Sequence, residues 1–148
     1  MIEIGIFNAG APFLSDLSLI FQFFVAAILV LALLAMARRR YMLHGVMMSS
    51  AVVLHTFIIF EVMVPTFRSL SGVFSDLSTR LAFLVVVHSI VGSVVEILGV
   101  LLIVLWLAKR ANMDSCFRRK HVMEVTIVLW MLEILLGFYL YITLYPFV

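Results

Sequence analysis

Four long apolar stretches dominate this chain and restrict what it can fold into. The 148-residue sequence is 66% hydrophobic and its mean hydropathy is +1.27, whereas soluble domains are about half apolar. A helix needs about 20 apolar residues to cross a bilayer. Charged residues and a proline divide the chain into predicted spans at residues 17–36, 41–64, 80–107 and 121–145. We therefore expect an integral membrane protein with a single transmembrane domain at 1–148.

Capping residues and a proline mark the predicted helix boundaries. Ser15 or Asp16 can cap the first helix, because their side-chain oxygens accept hydrogen bonds from free backbone N–H groups. Pro65 is expected to end the second span, and the polar stretch 66–79 is expected to form a loop. Short connections make successive helices antiparallel neighbours. The predicted fold class is all-α, an up-and-down four-helix bundle in the membrane.

Basic residues are concentrated in two connections between the predicted spans. These residues are Arg38, Arg39, Arg40, Lys109, Arg110, Arg118, Arg119 and Lys120. With a net charge of only +2, this clustering indicates positive-inside topology and not nucleic-acid binding. We expect a multi-pass protein of the cell membrane, with cytoplasmic basic connections, both termini outside and the lipid bilayer as its main partner. The single cysteine, Cys116, cannot form an internal disulfide.

Ionisable residues inside the apolar spans are the candidate functional residues, because an ionisable group is costly to keep in a bilayer. They are His44, His55, His88, His121, Glu61, Glu96, Glu124 and Glu133. A helical rise of about 1.5 Å per residue, counted from the basic clusters, sorts them by depth. His44, His121 and Glu124 fall in an inner layer. His55, Glu96 and Glu133 fall about 20 Å in, and Glu61 and His88 fall about 31 Å in, near the outer surface.

Metal or heme binding is the first chemical hypothesis for these residues. Neutral imidazole binds transition metals and heme iron, and a carboxylate commonly orients its second nitrogen. Pairing His44 with His121, and His55 with His88, predicts two bis-histidine heme sites or two mononuclear metal sites. The expected cofactor is heme b or copper, or another transition metal. Histidines that are merely hydrogen-bonded within the bundle are the structural alternative.

Two methionines favour copper among these metals. Met47 and Met48 lie three and four residues after His44 and can join the same helix face. Thioether and imidazole ligands suit Cu(I). Methionine is also ordinary packing material in membrane helices, and the chain holds nine. These residues are therefore candidate soft ligands only if His44 binds a metal.

The intramembrane glutamates support a proton relay as the alternative chemistry. Glu96, Glu133 and His55 share one predicted depth, and such residues are the usual stepping stones for protons in membranes. Glu61 and Glu124 are further candidates for a relay or for orienting a ligand. Two protonated glutamates that hydrogen-bond across helices would be purely structural. Because neither a phosphate loop nor a nucleophile elbow occurs, no enzymatic activity is expected.

Short motifs in the second to fourth spans carry a family resemblance. They are Leu43-His44-Gly45, Met47-Met48, Val87-His88-Ser89-Ile90, Lys120-His121, Leu129-Trp130 and Gly137-Phe138-Tyr139-Leu140-Tyr141. Together they resemble the domain-of-unknown-function 420 family of four-helix membrane proteins. The resemblance covers residues 38–146 and leaves the first span unmatched.

The resemblance implies a histidine-bearing bundle of bacterial and archaeal respiratory membranes, where some relatives are linked to maturation of heme-copper terminal oxidases. His44, His88 and His121 match the family's histidines. The family places a further histidine near the outer end of the second span, where this chain reads Val64-Pro65-Thr66, so His55 departs from the pattern.

The leading expectation is a non-enzymatic protein that binds heme or a transition metal and serves respiratory oxidase assembly or electron transfer. Its expected partners are a respiratory oxidase or another membrane subunit, or further copies of the chain. A proton-conducting or transporter-like subunit that uses the glutamates is the alternative. A purely structural accessory subunit is the third possibility.

Overall fold

Helices account for nearly all of the structure. The computed structural model describes residues 11–70, 79–108 and 119–145. The helical elements are α1 (Phe13–Ala37), α2 (Tyr41–Ile58), a π-helical segment (Ile59–Met63), α3 (Val64–Leu70), α4 (Thr79–Ala108) and α5 (Lys120–Leu144). Four helical stretches are long and apolar enough to cross a membrane, and they match the four predicted spans to within a few residues. The all-α prediction is confirmed.

Neighbouring helices run antiparallel and enclose a shared core. Helices α2 and α4 meet where Gly45 contacts Trp106 and where His55 contacts Glu96. Helices α4 and α5 meet at His88 and Gly137, and α1 and α5 meet at Asp16 and Tyr141. Residue numbers rise along one helix of each pair as they fall along the other. A three-residue connection, with Arg39 at a positive φ of 58°, reverses the chain between α1 and α2.

The bundle is apolar on its outside as well as inside. Its buried core contains Val25, Leu29, Ala51, Val52, Ile58, Val62, Val95 and Trp130. Large apolar side chains such as Phe60, Phe83 and Ile97 are about two-thirds exposed on its outer surface. Water would solvate that surface poorly, whereas lipid tails solvate it well. The surface therefore fits a bilayer as its surroundings.

The second span continues past Pro65, contrary to prediction. The chain remains helical through α3, so residues 66–70 are not part of a loop. Pro65 lacks the N–H that an α-helix needs, but the preceding π-helical segment changes the bonding pattern, with the Val64 N–H donating to the Ile59 carbonyl five residues earlier. Local π turns of this kind let membrane helices accommodate proline. The rest of the predicted loop, 71–78, lies outside the described residues.

The predicted capping of the first helix is also wrong. Helix α1 begins at Phe13, with Pro12 before it, so Ser15 and Asp16 fall inside its first turn. The fixed φ of Pro12 suits a helix start without a side-chain cap. Asp16 is instead fully buried, and its Oδ1 accepts a hydrogen bond of 2.5 Å from the Tyr141 hydroxyl. Most of the second basic connection, 109–118 with Cys116, lies outside the described residues.

Close approach of α2 and α4 depends on the absence of a side chain at Gly45. A Cβ atom there would lie 2.5 Å from Cζ2 of the Trp106 indole. Since the rigid ring cannot give way cheaply, we expect Gly45→Ala to lower the free energy of unfolding in detergent by about 1–3 kcal/mol. A Cβ at Gly92 would meet Glu133 Cγ at an ordinary 3.6 Å, so Gly92→Ala is the matched control and should be neutral or slightly stabilising. Equal stability of the two variants would contradict the packing.

Candidate functional site

His55 and Glu96 join α2 to α4 in the middle of the bundle. The His55 side chain is buried, with a residue exposure of 1%, and its Nδ1 lies at 2.8 Å from Glu96 Oε2. The Thr56 hydroxyl contacts both Glu96 Oε1 and the Val52 carbonyl oxygen. Because a hydroxyl has one proton, it can donate to only one of these oxygens. If it donates to Val52, Glu96 must carry a proton and donate to Thr56.

Glu133 on α5 lies between two imidazoles. Its Oε1 is 3.7 Å from His55 Nε2 and 3.8 Å from His88 Nε2. The residue is fully buried, and neither carboxyl oxygen makes a hydrogen bond within the described part of the chain. Each gap exceeds a hydrogen bond by less than about 1 Å, so a small rotation or one water molecule would close it. Such a carboxyl group must be neutralised by a proton or by an imidazolium.

These side chains form a continuous series across three helices, which we call the buried row: Thr56, Glu96, His55, Glu133 and His88. The Trp130 ring packs at 5.4 Å from the His55 ring, centroid to centroid, and limits its movement. The described spans therefore bring together two of the four candidate histidines with two of the four candidate glutamates.

A cavity of about 360 Å³ leads to one end of the buried row. His88 and Gln22 line its deep part, and Phe67, Arg68 and Tyr145 line it toward the end of the bundle that holds α3. The opposite half of the bundle is closed at the α2–α4 contact, where Val52 packs on Gly99 and Trp106 packs on Gly45. The arrangement of the described helices thus favours access to the row from the α3 end.

The predicted inner pair of histidines is not brought together. His44 is half-buried and its Nδ1–H donates to the Ala32 carbonyl at 2.9 Å, which leaves Nε2 unprotonated in the neutral ring. The His121 side chain is 95% exposed, with Nδ1 at 3.4 Å from Glu124, so it does not pack against His44. Glu124 is itself exposed and lies 3.6 Å from Lys120.

The remaining candidates lie away from the buried row. Glu61 is exposed in the π-helical segment. Met47 is half-buried, and Met48 packs against the apolar core. His88 lies beside the same carboxylate as His55, although depth counting separated the two by about 9 Å. Glu133 lies between the two imidazoles and bridges this nominal difference in depth.

A complete metal centre is not formed by the described residues. Among them, no group of three or more histidine, cysteine, aspartate or glutamate side chains is arranged to hold a metal ion. His55 and His88 face a carboxylate, and His44 and His121 are apart. The predicted ligand roles of the four histidines, and the predicted heme b or copper, therefore stay predictions.

Several residues of the site were missed from the sequence. Gln22 and His88 both pack on Gly137, and Thr56 contacts Glu96, but Gln22, Gly137 and Thr56 were not among the predicted site residues. Gln22 carried a usable signal, since it is a hydrogen-bonding side chain inside an otherwise apolar span. Thr56 and Gly137 carried no signal, because both residue types are common in membrane helices.

Comparison with known proteins identifies no relative of this chain. No family model, no curated protein and no solved structure matches the chain. The resemblance to the domain-of-unknown-function 420 family rests on the quoted motifs alone and stays a prediction.

Removing the Glu96 carboxyl group should destabilise the bundle. In Glu96→Ala, His55 Nδ1 and Thr56 lose their partner on α4, and an unpaired buried polar group costs about 1–3 kcal/mol. Unfolding of the purified protein in a denaturing-detergent titration measures this loss. Glu124→Ala is the control, because Glu124 is exposed and its removal should change stability by less than about 0.5 kcal/mol. Similar losses in both variants would contradict the assigned role of Glu96.

Proposed function

We propose that the chain is a multi-pass membrane protein whose buried row binds protons and transfers them between the cavity and the bundle interior. The observation that carries the proposal is Glu133, a fully buried carboxyl group whose oxygens make no hydrogen bond within the described residues and which has an imidazole on either side. A purely structural glutamate would be expected to have hydrogen-bond partners. Glu133 instead stands where a proton could pass to either neighbour.

Imidazole chemistry connects the members of the row. A histidine ring can accept a proton at one nitrogen and release the other proton from its second nitrogen. His55 has Nδ1 against Glu96 and Nε2 toward Glu133, so one ring links the two carboxyl groups. A proton that enters at His88 can move to Glu133, then to His55, and finally to Glu96. Each transfer conserves one proton and requires no other reactant.

The distribution of charge supports an orientation for this transfer. Arg38–Arg40, Arg119 and Lys120 lie at the same end of the bundle, because Gly45 near the start of α2 meets Trp106 near the end of α4. By the positive-inside rule, we propose that this end faces the cytoplasm in the cell membrane, with both termini outside. The cavity then opens in the outer half, and His88 receives protons from that side.

Infrared difference spectroscopy of the full chain in lipid tests the proposal. A protonated carboxyl group gives a C=O stretching band that shifts in D₂O. We expect such bands to grow as the pH is lowered, and Glu133→Gln and Glu96→Gln should each remove one component. Glu124→Gln, which alters an exposed glutamate, should leave the buried component unchanged. We also expect His88→Gln to slow protonation of Glu133 after a pH jump, since it removes the entry group.

The outcomes of this experiment separate a relay from a structural pair. Two glutamates that only hydrogen-bond across helices would give a band that does not respond to pH. A constant band, or unchanged kinetics in His88→Gln with protein that is folded by circular dichroism, would overturn the proposal.

Heme or copper binding, in oxidase assembly or electron transfer, remains a separate proposal that rests on the motifs and not on the geometry. Its expected outcome is a Soret band or stoichiometric copper in purified protein, reduced in His44→Ala and His121→Ala. Absorbance and metal analysis check this directly. Preparations that repeatedly lack both would contradict it.

A further inference from the structure

The deep end of the cavity is formed by Gln22, His88 and Gly137. Gln22 is only 6% exposed, and it lines the cavity. A Cβ atom at Gly137 would lie 2.8 Å from Gln22 Nε2, 2.9 Å from Oε1 and 3.1 Å from His88 Cε1. The amide and the imidazole edge therefore pack directly on Gly137 and fill the space that a side chain would need there.

Gln22 brings a hydrogen-bonding amide to a mostly apolar cavity. An amide in apolar surroundings gains free energy from a hydrogen bond to an occupant. Gln22 lines the cavity, most of whose other walls are apolar side chains such as Ile59, Val62 and Leu140. An apolar pocket with few polar groups at one end is the usual form of a small-molecule site, and about 360 Å³ lies within the usual range.

The cavity opens on the side of the bundle, between the outer part of the second span and α4. Phe67 and Arg68 on α3 and Ser93 on α4 line it and are exposed. In a bundle that spans a membrane, this side of the opening faces lipid, whereas the part lined by Arg68 and Tyr145 lies toward the end of the bundle. An occupant would therefore enter from the lipid phase with an apolar body, and its polar group would lie at Gln22.

The surroundings restrict the chemistry of that polar group. Gln22 Nε2 is a donor, so the group must offer an acceptor such as a carbonyl oxygen. The Gln22 amide is uncharged, so a carboxylate buried beside it would lack a charged partner there, which is costly. A neutral head group therefore fits this end of the cavity better than a fatty-acid carboxylate does.

We propose that the cavity binds a lipid-soluble quinone, with one carbonyl oxygen accepting a hydrogen bond from Gln22 and the ring in the apolar part of the cavity beside it. A quinone is a neutral, flat amphiphile with acceptor oxygens, and its reduction takes up protons. This inference rests on the proposed function, because His88 would place the end of the buried row beside a proton-accepting head group. Only binding is proposed, without an electron donor.

Equilibrium binding of decylubiquinone to the purified full chain in detergent tests the inference. We expect Gln22→Leu to weaken binding about tenfold or more, because it removes the donor at similar size. Gly137→Ala should weaken it as well, because its Cβ atom would displace the Gln22 amide. Ser50→Ala is the control, since Ser50 is exposed and bonds only its own helix backbone at Val46. Decanoic acid and decylbenzene, which share the tail but not the neutral carbonyl head, should bind at least about tenfold more weakly.

Failure of this inference differs from failure of the proton relay. Glu133→Gln should remove its infrared band while decylubiquinone binding persists. Wild-type affinity in folded Gln22→Leu, or equal affinity for decanoic acid, would overturn the quinone site even if the carboxyl bands respond to pH. No binding of decylubiquinone to the wild-type chain would overturn it as well.

Discussion

The cost of burying Glu133 is the constraint on which the centre of this bundle depends. A carboxyl group in apolar surroundings must be protonated or paired, because an isolated charge there is prohibitively unfavourable. Glu133 reaches His55 and His88 only while α2, α4 and α5 keep their present register. Its neutralisation is thus coupled to helix packing, and a change in its proton occupancy changes the forces between three helices at once.

The two glutamates of the row differ in how firmly a proton can be held. Glu96 contacts both His55 and Thr56, so either of its protonation states has partners. Glu133 has imidazoles on both sides but no completed hydrogen bond within the described residues. Partners stabilise a proton position, whereas near contacts leave it movable. In the proposed relay, Glu96 is therefore the stable end of the row, and Glu133 is the labile position between the two imidazoles.

Local sequence properties were sufficient to predict the four apolar helices but not to predict the candidate functional site. The four helices follow from hydropathy and from the basic clusters, because both act within a single segment. Continuation through Pro65 depends on a π-helical register, and the burial of Asp16 depends on Tyr141, which lies 125 residues away in sequence. Depth counting placed His55 with Glu96 and Glu133, and these three side chains lie together. His88 also reaches Glu133, although counting along the helices set it about 9 Å from His55.

The two ends of the bundle differ in how well protons can reach the buried row. Toward the basic end, glycine-mediated contacts of α2 with α4 leave apolar packing around Val52 and Trp106. Toward the other end, the π-helical segment and α3 form walls of the cavity beside His88. Protons and small amphiphiles exchange readily through a cavity and poorly through close-packed apolar side chains. If protons exchange only through the cavity, the proposed relay takes them up from one face of the membrane. Their transfer onward to the basic end would then require movement of α2 relative to α4, or a partner subunit.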